Sequence, residues 1–491
     1  MWRGFESVRP GTNAGRRPLL TMLQGTCLML SLGGCLLTPD APEPGLDIPQ
    51  AYDGAARNPA VAEAALPKLD WWRGFRSSEL TEIVEEARVA NLDIAAAIAR
   101  IVQADASARI AGAPLLPGVD LDGSATRSKA SASASGASSV SVRDNFSASL
   151  TASYELDFWG KNRAALRAAE ETAIASRYNR EVVGLTTVAS AANAYFQVLT
   201  AQDRLKAARE NLTSANRVLD LIKQRVNAGT ASALETAQQE SVVNTQRAAI
   251  PPLEQSLKQS RNALAVLMAR SPESVRVRGG SMRSIAYPRV TPGLPSQLLT
   301  QRPDIREAEA QLAAANANVE NARAQMLPSI SLTGEGGYQS TVFKALLRPE
   351  SALYSVGAGL TQPIFDGLRL QGNLDLQKGR QDELLQAYRK AVISAFADVE
   401  NALDAIRQTA LRERLQGDVV TSSRRAFDIA EQRLREGTVD LVTVLQTQQT
   451  LYQAIDALAV ARLAHAQAIV SLYQALGGGW LPKPVEAADA R

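Results

Sequence analysis

Residues 91–126, NLDIAAAIARIVQADASARIAGAPLLPGVDLDGSAT, return in altered form at 302–337, RPDIREAEAQLAAANANVENARAQMLPSISLTGEGG. Asp93-Ile94 answers Asp304-Ile305, Leu116-Pro117 answers Leu327-Pro328, and Gly123 answers Gly334, all at a shift of 211. DFWGKNR (157–163) answers IFDGLR (364–369), and QRVNAGTAS (224–232) answers QRLREGTVD (432–440) at a shift of 208. A register held through about 180 residues is an internal duplication. Whatever the first half folds into, the second half folds into as well.

Each half has one layout. An Ala-rich helix of some 30 residues stops near a Leu-Pro pair, two strands follow, and then a very long helix. No proline interrupts Lys161 to Ile250 or Ile364 to Leu481. Apolar residues recur at helical spacing at Leu185, Val188, Ala189, Ala192, Tyr195, Phe196 and Leu199, and again at Val392, Ala395, Phe396, Val399, Leu403 and Ile406. Each long segment breaks once, at NAGT (227–230) and REGT (435–438), where Gly229 and Gly437 suit a helix C-terminus and Ser232 and Asp440 suit the next N-cap. Each half is therefore a helical hairpin whose first arm runs about 65 residues, roughly 100 Å at 1.5 Å per residue. The Pro251-Pro252 pair predicts a further helix break.

The strands alternate apolar and polar. In NFSASLTASYELDF (145–158), Phe146, Ala148, Leu150, Ala152, Tyr154, Leu156 and Phe158 alternate with polar residues, and the pattern recurs around Val119–Leu121, Ile330–Leu332 and Tyr354–Leu360. No second sheet is available to cover the apolar face. The polar face is mostly Ser, Thr and Gly, and aromatics cluster near strand ends, as at a membrane interface. The strands are about 10 residues long, enough to cross a bilayer at a tilt. A sheet in hydrocarbon must close on itself, and four strands cannot, because the smallest outer-membrane barrels have about eight. The chain is expected to share a barrel with copies of itself. Two copies give eight strands and a filled interior; three give twelve and room for water, which the small inward residues favour.

At the N-terminus, Arg16-Arg17 precede an apolar run of about 15 residues, the anatomy of a secretory signal. It ends in LGGC, with Cys35 as the expected site of lipid attachment and Leu36 after it. Removal of residues 1–34 leaves 49 basic and 49 acidic residues. A neutral chain with no basic stripe gives no footing for nucleic acid.

These features, with WWRGFRSSEL (71–80) and GLPSQLLTQRPDI (293–305), resemble the NodT-like lipoproteins among the TolC-type outer-membrane efflux factors. The resemblance covers essentially the whole mature chain. It implies a mainly α protein with a membrane β-barrel portion: four transmembrane strands per chain, a twelve-stranded barrel in a homotrimer, and a long periplasmic α-helical barrel. It implies a passive exit duct of a tripartite efflux pump, joined by a periplasmic adaptor protein to an inner-membrane RND-type transporter. Localisation would be the outer membrane, lipid-anchored, extending into the periplasm. The expected organisation is a signal peptide (1–34), an N-terminal anchored segment (35–77), a first repeat (78–270, strands near 118–127 and 145–158, tip at 227–232), a linker that would be equatorial (271–300), a second repeat (301–476, strands near 329–338 and 353–363, tip at 435–440) and a tail (477–491).

No catalytic constellation, cofactor motif or metal relay is found, and the single histidine, His465, reads as a packed or bridging residue. By the resemblance, the tips contact the adaptor through Arg225, Gly229, Thr230, Ser232, Arg433, Gly437, Thr438 and Asp440. Relatives often carry inward aspartates on the last helix. The matching positions here are Thr443 and Gln446, both uncharged, with Gln238 the repeat counterpart of Gln446. Glu235 and Asp440 are the nearest carboxylates that would serve a periplasmic gate, closed by hydrogen bonds and ion pairs among Arg225, Arg433, Glu235 and Asp440. Two other readings remain open: a duct for polypeptide secretion, and a pore-less lipid-anchored periplasmic scaffold.

Overall fold

The structure is a computed structural model and describes residues 45–46, 48–49, 52, 68–129, 142–289 and 295–480. Cys35 and the signal stretch lie outside the described residues. The described chain divides into two compact units, one within Ile110–Ala168 and Ala315–Gln381, the other within Pro44–Arg109, Ala169–Ala314 and Asp382–Arg491.

The first unit is built on one antiparallel sheet, β1 (Gly118–Lys129), β2 (Val142–Leu156), β3 (Ser329–Ser340) and β4 (Ala352–Thr361), in that spatial order. Each half supplies a hairpin, and β2–β3 pairing welds the halves together. Register keeps like with like. Leu121 pairs with Leu150, Tyr154 with Leu332 and Ile330 with Leu360, while Asp120, Thr151, Glu335 and Ser355 follow one another on the opposite face. The apolar face is bare: Leu121 is 76% exposed, and Tyr354 and Val356 are each 87% exposed. β1 and β4 each leave one edge unpaired within the chain. Compared with the sequence reading, β1 and β3 run two residues further and β2 starts earlier, while β2 and β4 stop short of Phe158 and Pro363. Proline cannot donate to the ladder, which ends β4.

The helices are α1 (Ser78–Ala90), α2 (Leu92–Gly112), α3 (Lys161–Asn227), α4 (Ala233–Ala248), α5 (Ile250–Leu267), α6 (Pro295–Gln301), α7 (Pro303–Ala324), α8 (Arg369–Arg435) and α9 (Leu441–Ala475). The long arms α3 and α8 are both 67 residues, displaced by 208 at both ends, so the repeat is gapless along them. Their hairpin partners match as well: α4 and α5 together cover the same stretch in the first half that α9 covers unbroken in the second. The first half is interrupted at Ala249, where Pro251 and Pro252 occupy the opening turn of α5. That turn has no intrahelical partners for its N–H groups, so proline is tolerated there.

The expectation of a single 30-residue helix at the head of each half is corrected. α1 and α2 meet at Asn91, whose backbone leaves the helical region (φ −59°, ψ 131°). Its Oδ1 accepts from the amides of Asp93 (2.9 Å) and Ile94 (3.1 Å), and its Nδ2 donates to the Leu267 carbonyl at 3.0 Å. An N-cap of this kind satisfies amides that an uninterrupted helix would not expose. In the second half Pro303 makes the equivalent break, having no N–H to continue the ladder.

The core of the helical unit explains WWRGF. Trp71, Trp72 and Phe75 are at most 3% exposed and pack with Val188–Leu199 of α3, Leu264 and Ala265 of α5, and Ile469, Val470 and Tyr473 of α9. Trp71 stacks on Tyr473 with centroids 4.7 Å apart and planes 16° apart. Val275, Val277, Met282 and Ile285 of the linker join the same core. The Asp203 carboxylate holds the linker by accepting from Ser281 Oγ and the Met282 amide, both at 2.9 Å.

Candidate functional site

The two hairpin tips are built alike. Gly229 and Gly437 take left-handed backbone, φ +75° and +73°. At the first tip the Thr230 amide donates to the Arg225 carbonyl (2.8 Å) and the Gly229 amide to Val226 (2.9 Å). At the second, Thr438 donates to Arg433 (2.9 Å) and Gly437 to Leu434 (3.2 Å). These paired bonds are the Schellman termination, which uses up carbonyls that a helix end would leave bare. The threonine hydroxyls add a second bond to the same carbonyls, Thr230 at 3.0 Å and Thr438 at 3.2 Å. The shared Gly-Thr pair thus has a structural reason at both tips.

The carboxylates are occupied too. Ser232 caps α4, and Glu235 returns the favour by accepting from the Ser232 amide at 2.6 Å, a reciprocal capping box. Asp440 caps α9, its Oδ1 accepting from the Thr443 hydroxyl (2.6 Å) and the Thr443 amide (2.9 Å). Those two bonds, the hydroxyl's first, hold the Asp440 carboxyl below its ordinary range. Among the described residues no ion pair joins Arg225, Arg433, Glu235 and Asp440 within one chain, so the predicted network is corrected at that level: the acids serve their own helix ends. Gln238 is half-buried and Gln446 exposed. Beside them, Gln239 and Gln448 are fully buried, and Gln239 donates to the Ala215 carbonyl at 2.8 Å.

Arg225 does something the motif alone does not disclose. Its guanidinium donates to the Leu434 carbonyl at 3.1 Å, reaching the C-terminal turn of α8 from the end of α3. A cation there meets the negative pole of the helix. Above it, at intervals of seven, Val218 is fully buried, the Asn211 carbonyl accepts from Tyr452 at 2.9 Å, and Arg204 binds Asp456 through two nitrogens (2.6 and 3.1 Å). Seven residues are nearly two helical turns, so these four positions form one stripe of α3 against the second hairpin. Arg217, beside the stripe, pairs with Glu431 at 2.8 Å. Glu431 also receives Arg435 at 2.5 Å and has only 8% of its side chain exposed. The sequence reading passed over this seam. Its one legible sign is the seven-residue spacing of Arg204, Asn211, Val218 and Arg225.

Two other polar clusters bind the helical unit. Arg302, in the QRPDI motif, grips Asp304 (2.6 and 2.9 Å), Asp398 (3.0 Å) and the Ala475 carbonyl (3.2 Å). Burial works against its charge, but the bonds and charges of the two aspartates prevail, and its proton is held more tightly than usual. His465 bridges to Glu413 at 2.8 Å, which also receives Arg462 at 3.3 Å, and its ring lies 4.2 Å from that of Tyr287.

Comparison with known proteins gives this arrangement a context. The chain is 42% identical over 463 residues to the pyoverdine export outer membrane protein OpmQ of Pseudomonas aeruginosa, covering 93% of this chain and 96% of that one. It is 32% identical over 459 residues to the toluene efflux pump outer membrane protein TtgC of Pseudomonas putida, covering 93% and 95%. Among solved structures, the Campylobacter jejuni CmeC outer membrane channel superposes with a TM-score of 0.84 at 26% identity, covering 91% of this chain and 96% of that one. The sequence model of the outer membrane efflux protein family matches residues 83–270 and 294–478, one segment for each repeat, and the chain belongs to that family.

Proposed function

We propose that the chain is the exit duct of a tripartite efflux pump, working as a homotrimer that spans the outer membrane. The observation that supports this most directly is the sheet: its apolar face is exposed and it leaves two unpaired edges. In hydrocarbon, each unpaired backbone group costs several kcal/mol, on the order given by transfer into a medium without hydrogen bonds. Joining β4 of one copy to β1 of the next removes every edge at once, and three copies make twelve strands around a water-filled lumen. The polar face, carrying Asp120, Asp122, Thr151 and Glu335, lines that lumen.

On this reading the tips meet a periplasmic adaptor, which couples the duct to an inner-membrane RND-type transporter, and Cys35 carries the lipid anchor. Glu235, Gln238, Asp440, Thr443 and Gln446 ring the entrance, and opening requires the tips to part. Energy comes from the transporter, and the duct itself is passive. The similarity to OpmQ supports a small exported molecule of the pyoverdine kind as cargo. Two measurements test the proposal. The protein extracted from outer membranes should migrate as a heat-sensitive trimer and conduct ions in planar bilayers. Expressed in a strain lacking its own pyoverdine export channel, it should restore export. A monomer without conductance overturns the duct.

A further inference from the structure

The loop from β3 to β4 exposes apolar and cationic side chains together. Val342, Phe343 and Leu347 are between 57% and 76% exposed, and Lys344 and Arg348 stand exposed among them. The loop is nonetheless firmly built. The Val342 amide donates to Ser340 Oγ at 3.1 Å, and short helical turns span Phe343–Ala345 and Pro349–Ser351. The Ser351 hydroxyl ties the two turns by donating to the Ala345 carbonyl at 2.7 Å. One ring contact fixes the side of the sheet on which the loop lies. Phe343 meets Phe146 edge to face, with centroids 5.5 Å apart. Phe146 belongs to the apolar face, paired with Ala125 on one side and Ser340 on the other. The loop therefore folds over the bare face and not the polar one.

Cations gather at the same rim. β1 and β2 stay paired beyond Phe146, as far as Lys129 with Val142. Side chains alternate along a strand, so Arg127 and Lys129 share the face of Ala125 and Phe146, roughly 7 and 14 Å further on. Among the described residues the side chains of Lys129, Lys344 and Arg348 have no hydrogen-bond or ion-pair partner. The acids beside them are Glu350 and Asp144, the latter already paired with Arg127 at 3.5 Å. Toward the middle of the same face come Tyr338 and Tyr354. Both long helices leave the sheet at its opposite end, after Leu156 and Thr361. On the duct reading, this rim is the outer-leaflet end of the barrel. Aliphatic, aromatic and cationic side chains then follow one another in the order of hydrocarbon, interface and anionic headgroup.

We infer that this rim binds the phosphate groups of the outer leaflet's glycolipid, lipopolysaccharide. Lys344 and Arg348, with Arg127 and Lys129 beside them, take the phosphates, while Phe343 and Leu347 seat among the acyl chains. The inference rests on the duct proposed above. Charge selects the lipid. A zwitterionic phospholipid brings its own cation to each phosphate, so unpaired bases gain less from it than from a phosphorylated sugar without an amine.

Lipid held by the detergent-extracted protein tests this, read by native mass spectrometry. The probes are lipid A with both phosphates and lipid A stripped of both. The natural protein should prefer the phosphorylated form. Lys344→Ala with Arg348→Ala should weaken its binding about 25-fold, roughly fivefold for each cation at an anionic surface, and leave the stripped form unaffected. Lys344→Arg should keep the preference. Phe343→Ser with Leu347→Ser should weaken both forms alike; unchanged binding there overturns the seating of the loop among acyl chains. Equal binding of the two forms, an unchanged preference in the double alanine variant, or phosphatidylethanolamine held as tightly as lipid A overturns the site. Displacement by inorganic phosphate beyond that by chloride of equal ionic strength makes the rim a free-anion site and overturns the lipid assignment. Light scattering and planar-bilayer conductance separate the two levels. A conducting trimer without the preference overturns the lipid site and leaves the duct standing; a monomer without conductance sinks the duct, and the rim's place in a membrane with it.

Discussion

The tip glycines offer a test in which the cost can be worked from geometry alone. At Gly229 and Gly437 φ is +75° and +73°, and a Cβ placed on either would meet nothing within 4 Å. Replacement by alanine therefore costs only the backbone preference, about 1–2 kcal/mol for an L-residue in the left-handed region. Lower chain entropy of the unfolded tip offsets about 0.5 kcal/mol of that. The remainder, about 0.5–1.5 kcal/mol, is roughly a two- to twelvefold rise in local opening. The Thr230 and Thr438 amides, which close the Schellman bonds, report it directly by hydrogen exchange with mass spectrometry. Gly229→Ala should raise exchange at Thr230 by that factor and leave the Thr438 tip unchanged. Gly229→Asn should raise it less, because asparagine tolerates the left-handed region. Gly477→Ala sets an upper reference: φ is +80° there and the new Cβ would also strike the Gln301 carbonyl oxygen, so the loss should exceed that at either tip. Unchanged exchange in Gly229→Ala, or equal effects of asparagine and alanine, would refute the assignment of these glycines to turn geometry.

Three further outcomes are expected. Asp440 has its carboxyl pKa lowered from 3.8 by its bonds to Thr443, so the cap is complete above pH 3.8 and is lost as pH falls through the lowered value; the protection of the amides in the first turn of α9, taken relative to their free-chain exchange rate at each pH, should fall on acidification through that value in the natural protein and stay flat with pH in Asp440→Asn. Arg302→Ala should destabilise the helical unit by about 1–3 kcal/mol, below the usual cost of breaking a buried pair because Asp304 and Asp398 are partly solvated, and Arg302→Lys should recover only part of it; loss of helical circular dichroism on heating checks both. Val356→Arg on the bare face of β4 should cost about 2–4 kcal/mol of membrane stability if it lies near the bilayer midplane, whereas Ser355→Arg on the other face should be tolerated; recovery in the outer-membrane fraction separates them.

Much of this was legible because it is periodic. Alternation from Phe146 to Leu156 announced β2 and its two faces, and the gap between prolines announced the long arms. Gly229, Gly437, Ser232 and Asp440 were readable as turn and cap residues because each meets a local demand within five residues of itself. What escaped was non-local. Asn91 breaks its helix partly to reach Leu267, and nothing near Asn91 signals that partner. The pairs Arg204–Asp456 and Arg217–Glu431 join positions more than 200 residues apart, and only the arginines, not the acids, recur in the repeat. The sequence motif offers Glu235 and Asp440 to Arg225 and Arg433 as ion-pair partners, because the capping duty of Glu235 and the bond of the Thr443 hydroxyl to Asp440 appear only once side chains are placed.

The equal lengths of α3 and α8 carry a consequence for how such a protein can change over generations. One residue added to α3 alone would turn everything beyond it by about 100° and advance it by about 1.5 Å, so Arg204, Asn211, Val218 and Arg225 would no longer face their partners together. A deletion does the same in reverse. Tolerated length changes in these arms should come in sevens, and in both halves at once, with compensating additions in the returning arms.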